Sequence, residues 1–291
     1  MRDARVPIAH TYATQGLLLQ YLDWGNPAAP LLVLLHGGLE QSHAWDSIAA
    51  ALCHRWHVVV PDLRGHGGSD WSSGGAYSVL DYVADLAALM KRLGDQPMVL
   101  IGHSLGGNVA IHFASMYPES VHRLCSIEGL GPSPMARAER DLAPRVVQMR
   151  EWVERILAKD LTPRRFFRTP AEAAARIMQH DALFDSATAE ALAAFGVTQT
   201  SDSGYQWKYD PRVRIGGAAD VASIQANDLW STIACPTLLL YGARSWASNP
   251  LVDGRAQYFN NAKVVLVEDA GHSLHHHRPR AFLEIVVPFI E

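Results

Sequence analysis

The chain has 291 residues, 48% of them hydrophobic, and a formal net charge of -4 at neutral pH. That is enough apolar material for one large core with an inserted subdomain, and it lacks the basic surplus expected of a nucleic-acid-binding protein. No apolar run approaches the length of a membrane span, and residues 1–10 are polar, unlike a secretory leader, so a cytoplasmic protein is expected.

In chain order, short runs rich in Leu, Val and Ile, bounded by Gly, Pro or Asp, predict strands at 17–23, 31–35, 57–60, 98–101, 124–127, 236–241 and 263–267. Apolar residues at three- and four-residue spacing predict helices at 42–53, 79–93 and 107–117. This alternation implies an α/β fold with a doubly wound, mostly parallel sheet. The rhythm breaks over 132–229, where no strand is convincing and helices are predicted at 135–157, 170–180 and 186–195. The organisation expected is therefore a core made of residues 1–131 and 230–291, interrupted by a helical cap at 132–229. A last helix runs over 279–289, with Pro279 suited to its first turn. Cys53, Cys125 and Cys235 lie in or beside core-like segments without C-x-x-C spacing, which fits buried thiols in a reducing compartment.

The most informative segment is Gly102-His103-Ser104-Leu105-Gly106, set between the apolar run 98–101 and the helical stretch 107–117. A serine at a sharp strand-to-helix turn is a nucleophile elbow: the turn presents Oγ to an open crevice, and glycines two residues either side let strand and helix pack closely.

With this elbow and the insertion in place, further motifs resemble the α/β-hydrolase superfamily, in a serine-hydrolase-like branch with a helical cap. His36-Gly37-Gly38 after the second predicted strand is similar to that family's oxyanion loop, and Trp45 stands where the family often carries an aromatic residue. The segment Asp62-Leu63-Arg64-Gly65-His66-Gly67-Gly68-Ser69 resembles its D-x-R-G-x-G-x-S loop, Ala270-Gly271-His272 its histidine loop, and 207–212 a cap segment of that branch. The resemblance implies a serine hydrolase that needs no cofactor, with Ser104 as nucleophile and the backbone N–H groups of Leu105 and Gly38, or alternatively Leu39, as oxyanion donors.

A serine needs a base within reach. Among fourteen histidines, His272 is the candidate because it follows Gly271 after the last predicted strand. Where many relatives carry Gly-x-x-Asp after the strand at 236–241, this chain has Gly242-Ala243-Arg244-Ser245, and a serine cannot hold the charge that an imidazolium needs. Glu128, at the end of the strand at 124–127, is the expected acid, with Asp253, Glu268 and Asp269 as lesser candidates. The run His275-His276-His277 is read as structural or cavity-lining, since three consecutive residues at a helix start cannot all face one ion, and no metal is expected.

These readings converge on cleavage of a carboxylic ester or related acyl compound through an acyl-enzyme. Trp45, His103 and Trp246 are expected to line a pocket for a small, mainly apolar substrate. The oligomeric state is left open. The alternatives are a non-catalytic small-molecule-binding protein on the same fold, for which Ser245 is the best argument, and a carbon–carbon bond hydrolase or cofactor-free haloperoxidase-like enzyme. Dehalogenase and epoxide hydrolase chemistry fit less well, because those relatives attack with Asp at the elbow.

Overall fold

The computed structural model describes residues 6–160, 164–201, 204–217 and 226–291. Eight strands form the central sheet in the order β1-β2-β4-β3-β5-β6-β10-β11. They are β1 (Ile8–Thr14), β2 (Leu17–Asp23), β3 (Leu31–Leu35), β4 (His57–Pro61), β5 (Met98–His103), β6 (Val121–Ile127), β10 (Thr237–Gly242) and β11 (Ala262–Val267). The pairs β1/β2 and β2/β4 are antiparallel and every other pair is parallel. Every residue of β3, β4, β5 and β10 is buried, as expected of parallel strands covered on both faces.

Helices cover each face. On one side, α2 (Val79–Arg92) and α3 (Leu105–Met116) contribute Leu86, Leu89, Val109 and Phe113 to a core with Val33, Leu100 and Leu239. On the other side, α1 (Asp46–Leu52) and the C-terminal helix Pro279–Ile290 bury Ile48, Leu52, Phe282 and Val286 against Leu34, Ile101 and Leu240. Ser78 starts α2 with a capping box, its hydroxyl accepting from Asp81 N–H while the Asp81 carboxylate accepts from Ser78 N–H.

Strand β1 has no counterpart in the sequence reading. It is an antiparallel edge strand with a single buried residue, Tyr12, so it carries almost no hydrophobic signal.

Between β6 and β10 the chain leaves the sheet. It forms α4 (Pro134–Asp141), α5 (Arg145–Asp160), β7 (Phe166–Phe167), α6 (Pro170–His180), α7 (Ser186–Gly196), β8 (Val197–Gln199), β9 (Tyr205–Trp207) and α8 (Ala226–Ser231). The expectation that this stretch holds no strand is corrected: β7, β9 and β8 make a three-stranded antiparallel sheet. These strands have two or three residues each, too short for a period-two pattern to register. The single helix expected at 135–157 is also divided, because Pro144 lacks an N–H and its ring restricts the preceding residue, separating α4 from α5. Phe167, Ala173, Ala174, Ala189, Ala193 and Val197 give this segment its own small core.

Polar ties hold the segment to the sheet domain. The Tyr77 hydroxyl donates to Asp210 Oδ2 at 2.7 Å, Asp210 N–H donates to the Gly65 carbonyl at 2.8 Å, and Arg212 Nη2 donates to the Ser72 carbonyl at 3.2 Å. Cys53, Cys125 and Cys235 are buried free thiols. Among the described residues, no helix is long and apolar enough to cross a membrane.

Candidate active site

Strands β5, β6, β10 and β11 lie side by side, and the chain emerges from their carboxyl ends at Ser104, Glu128, Gly242 and the loop carrying His272. Parallel register brings these ends level, with His103 opposite Ile127 and Gly242 opposite Val267. Residues far apart in sequence thus share the crevice at one sheet edge.

Ser104 sits at φ 50°, ψ -110°, a strained conformation for a non-glycine residue. Its N–H donates to the Ile127 carbonyl at 2.8 Å, and α3 begins at the next residue. A Cβ at Gly106 would stand 2.5 Å from the Leu35 carbonyl oxygen, so close passage of α3 over β3 requires glycine there.

His272 Nδ1 lies 2.5 Å from Glu128 Oε2. The Glu128 side chain is wholly buried and has two further donors: Gly242 N–H to Oε1 at 2.8 Å, and the Ser245 hydroxyl to Oε2 at 2.7 Å. Ser245 therefore donates to the same carboxylate oxygen that faces His272. Glu128 itself, just past the end of β6, has φ 49°, a left-handed backbone conformation that is uncommon for a non-glycine residue. The lesser acid candidates lie elsewhere: Asp253 pairs with Arg255, Glu268 is exposed, and Asp269 is 70% exposed beside Arg278.

Ser104 and His272 line one cavity of about 740 Å³, without a direct hydrogen bond between Ser104 Oγ and the imidazole. Such bonds are often long before substrate binds. Gly38 and Leu39 line the same cavity, and a Cβ on Gly38 would lie 3.8 Å from Leu105 Cβ. No protein acceptor takes the backbone N–H groups of Gly38, Leu39 or Leu105 among the described residues, as suits donors at a loop and a helix start.

The loop before them is fixed by His36. Leu63 N–H donates to His36 Nε2 at 3.0 Å, so the proton sits on Nδ1, which donates to the Gly37 carbonyl at 2.7 Å. Burial lowers the His36 pKa and keeps this ring neutral. The adjoining 62–69 loop is held by Arg64, whose Nε and Nη2 donate to the two oxygens of Asp85 at 2.6 and 2.7 Å.

Of the residues expected to line the pocket, His103 and Trp246 do so. Trp246 is 81% exposed, with its ring centroid 4.7 Å from that of His272. Trp45 does not: at the end of the turn Ser42–Trp45 it is fully buried in the core, stacked on His275 at 4.5 Å and near Phe282. That assignment is corrected.

His103 has acceptors at both ring nitrogens, Glu40 Oε2 3.3 Å from Nδ1 and the His272 carbonyl 3.1 Å from Nε2. Burial by itself would push its pKa down, but the Glu40 carboxylate raises it, and reciprocally His103 holds Glu40 well below the usual carboxylate range against the opposing effect of burial. The sequence carried one hint of this pair, the adjacency of His103 to the elbow, and none of Glu40.

His275, His276 and His277 are buried and lie outside the cavity lining. His277 Nδ1 accepts from Gly271 N–H at 3.1 Å, which fixes the backbone just before His272. Glu40, His275 and His276 bring donor atoms within 4.8 Å of one another, making them the described group with the chemistry to ligate a metal. His277 faces away toward Asp181.

The cavity lining is mixed. Ile177, Leu183, Phe184 and Leu192 supply apolar wall, while six Lys and Arg side chains line the same space, a feature with no signal in the sequence pattern.

The family model for the alpha/beta hydrolase fold matches residues 30–279. The chain is an α/β-hydrolase. Among curated relatives, the hydrolase is 32% identical over 242 residues to the 3-hydroxybutyrate-oligomer hydrolase of Cupriavidus necator, covering 78% of this chain and 77% of the relative. It is 27% identical over 289 residues to the esterase Rv0045c of Mycobacterium tuberculosis, covering 96% of this chain and 89% of that protein. Its fold superposes on the thioesterase domain from the curacin biosynthetic pathway with a TM-score of 0.83 at 26% identity, covering 97% and 99% of the two chains. As a member of this family with hydrolase and esterase relatives, the protein is an enzyme.

Proposed function

We propose that this hydrolase cleaves small carboxylic esters through an acyl-enzyme on Ser104. The observation that carries the reading is the buried Glu128 carboxylate 2.5 Å from His272 Nδ1, on the cavity that Ser104 also lines. The hydrolase and esterase relatives support the same reaction class.

Ser104 Oγ attacks the ester carbonyl carbon while His272 Nε2 takes its proton. Glu128 holds the tautomer with hydrogen on Nδ1 and stabilises the imidazolium. The negative oxygen of the tetrahedral intermediate accepts from the N–H groups of Leu105 and Gly38, with Leu39 as the alternative second donor. Collapse expels the alkoxide, which takes the proton from His272, and leaves Ser104 acylated. Water then attacks the acyl carbonyl, giving its proton to His272, and the acid departs as Ser104 regains a proton. Ser245, in this reading, serves the acid as a hydrogen-bond donor and is no sign of a decayed site.

Residues 132–229 act as a cap on a core of 1–131 and 230–291. The separate small core of this segment and its contribution of Ile177, Leu183 and Leu192 to the cavity support that division. The apolar wall suits an apolar acyl or alcohol portion near the reacting bond. The buried free thiols fit a cytoplasmic protein.

A fluorophosphonate should label Ser104 covalently, and a panel of esters of graded chain length should be hydrolysed with loss of turnover on labelling. Label on another residue, or turnover that survives complete labelling, would overturn the proposal.

A further inference from the structure

Charge is unevenly distributed over this molecule. The chain carries -4 overall, yet its cavity is lined by Lys159, Arg164, Arg165, Arg176, Arg214 and Arg244 against the carboxylates of Glu40 and Asp181, an excess of four positive charges. Both carboxylates are otherwise engaged. Glu40 accepts from Gly37 N–H at 2.7 Å and faces His103, while Asp181 accepts from Leu183 N–H at 3.0 Å and faces His277.

Three of the cations, Arg165, Arg176 and Arg214, line the cavity together with Tyr209, and all three oppose the upward pull that burial exerts on the pKa of its phenol. They arrive from separate places: Arg165 precedes β7, Arg176 lies on α6, and Arg214 ends the turn Pro211–Arg214. Among the described residues none of the three pairs with a carboxylate, and Arg176 Nη1 donates to Gln179 at 3.3 Å. Like charges gathered without a counter-ion repel each other, and an anion placed among them relieves the repulsion while accepting charge-assisted hydrogen bonds in the planar geometry that guanidinium offers. Field focused in a cleft also draws in anions from solution.

We propose that Arg165, Arg176 and Arg214 form an anion subsite, and that the substrate is a small ester whose apolar reacting portion carries a carboxylate or phosphate group. This rests on the ester-hydrolase reading above. The apolar wall and the basic lining then serve two ends of one amphiphilic molecule, and Ser104 acts on the bond between or beside them.

The test uses three p-nitrophenyl esters of equal acyl length, ending in methyl, carboxylate or phosphate. The wild-type kcat/KM should favour at least one anionic ester over the neutral one by about tenfold at low salt, with the preference shrinking as salt screens the exposed arginines. Arg176→Gln and Arg214→Gln should each reduce the anionic-to-neutral ratio by about tenfold, mainly through KM. Which anionic ester leads distinguishes a carboxylate from a phosphate substrate. A wild-type preference for the neutral ester over both, or ratios unchanged in the variants, would overturn the proposal. If no ester is turned over and Ser104 resists fluorophosphonate, the hydrolase reading fails separately. Calorimetric titration with hexanoate, hexyl phosphate and hexanamide then decides the subsite. Binding of an anion that the Arg176→Gln/Arg214→Gln double variant loses supports it, and equal binding of all three by the wild type refutes it.

Discussion

Ser245 and Glu128 lie 117 residues apart, and the serine hydroxyl donates to Glu128 Oε2, the same oxygen that faces His272. In the proposed mechanism the end of β10 supplies a hydrogen-bond donor, and the carboxylate comes from the neighbouring strand β6. Glu128→Gln should keep the shape but remove the charge that stabilises the imidazolium, lowering kcat by about 10³–10⁴-fold. Ser245→Ala removes one of three donors to a carboxylate and should cost about tenfold at most. Because position 245 reaches the same oxygen, Ser245→Asp in the Glu128→Gln background should recover part of the activity. Steady-state kinetics on the four proteins checks all three, and equal losses in Glu128→Gln and Ser245→Ala would reject the assigned roles.

Removal of Oγ from the elbow deletes the nucleophile and opens no cavity in the core. Ser104→Ala should therefore abolish turnover, and His272→Ala should reduce kcat by several orders of magnitude, with both variants melting near the wild-type temperature. Ester hydrolysis and thermal denaturation on the same preparations separate loss of chemistry from loss of fold.

Trp45 is a core residue, so its truncation should be felt in stability and not in substrate affinity. Trp45→Ala strips a fully buried ring from contact with His275 and Phe282 and should cost about 3–5 kcal/mol. Urea denaturation measures this. A large rise in KM with unchanged stability would return Trp45 to the pocket.

Buried histidines make the fold sensitive to acid. Burial lowers the pKa of His276 from 6.5 to about 4, that of His66 to about 3, and that of His275 well below its ordinary value. A folded-state pKa below the unfolded one means that the unfolded chain takes up protons first, so this stability is present above pH 6.5 and is lost as pH falls toward 4. For His276 alone the shift amounts to roughly 3 kcal/mol. Glu40 acts in the same direction, its depressed pKa giving stability that disappears as acid protonates it. His103 acts oppositely, since its raised pKa gives stability that is lost as pH rises through the folded value. Chemical denaturation from pH 8 to 4 should show stability falling on the acid side, and His276→Gln should flatten that fall. An unchanged slope in the variant would show that His276 takes up its proton without opposing the fold.

The parallel strands, the elbow and the placement of Ser104 and His272 were legible in the chain because they depend on local order: apolar runs that must be buried on both faces, and glycines at fixed offsets from a strained serine. Glu128 was expected beside His272 by elimination, once Ser245 was seen to lack a charge, and its carboxylate does lie against that ring. Edge strand β1 and the two- and three-residue strands β7 to β9 escaped notice because half-exposed or very short segments carry no periodicity. Trp45 was misassigned because spacing along a helix does not say which way a ring turns. The Glu40–His103 pair and the cluster of Arg165, Arg176 and Arg214 arise where separate elements meet, 63 residues apart in sequence for the first pair. No local pattern encodes such meetings. They exist once hydrophobic burial has brought the sheet edge and the inserted segment together, and the charges are then fixed by the packing around them.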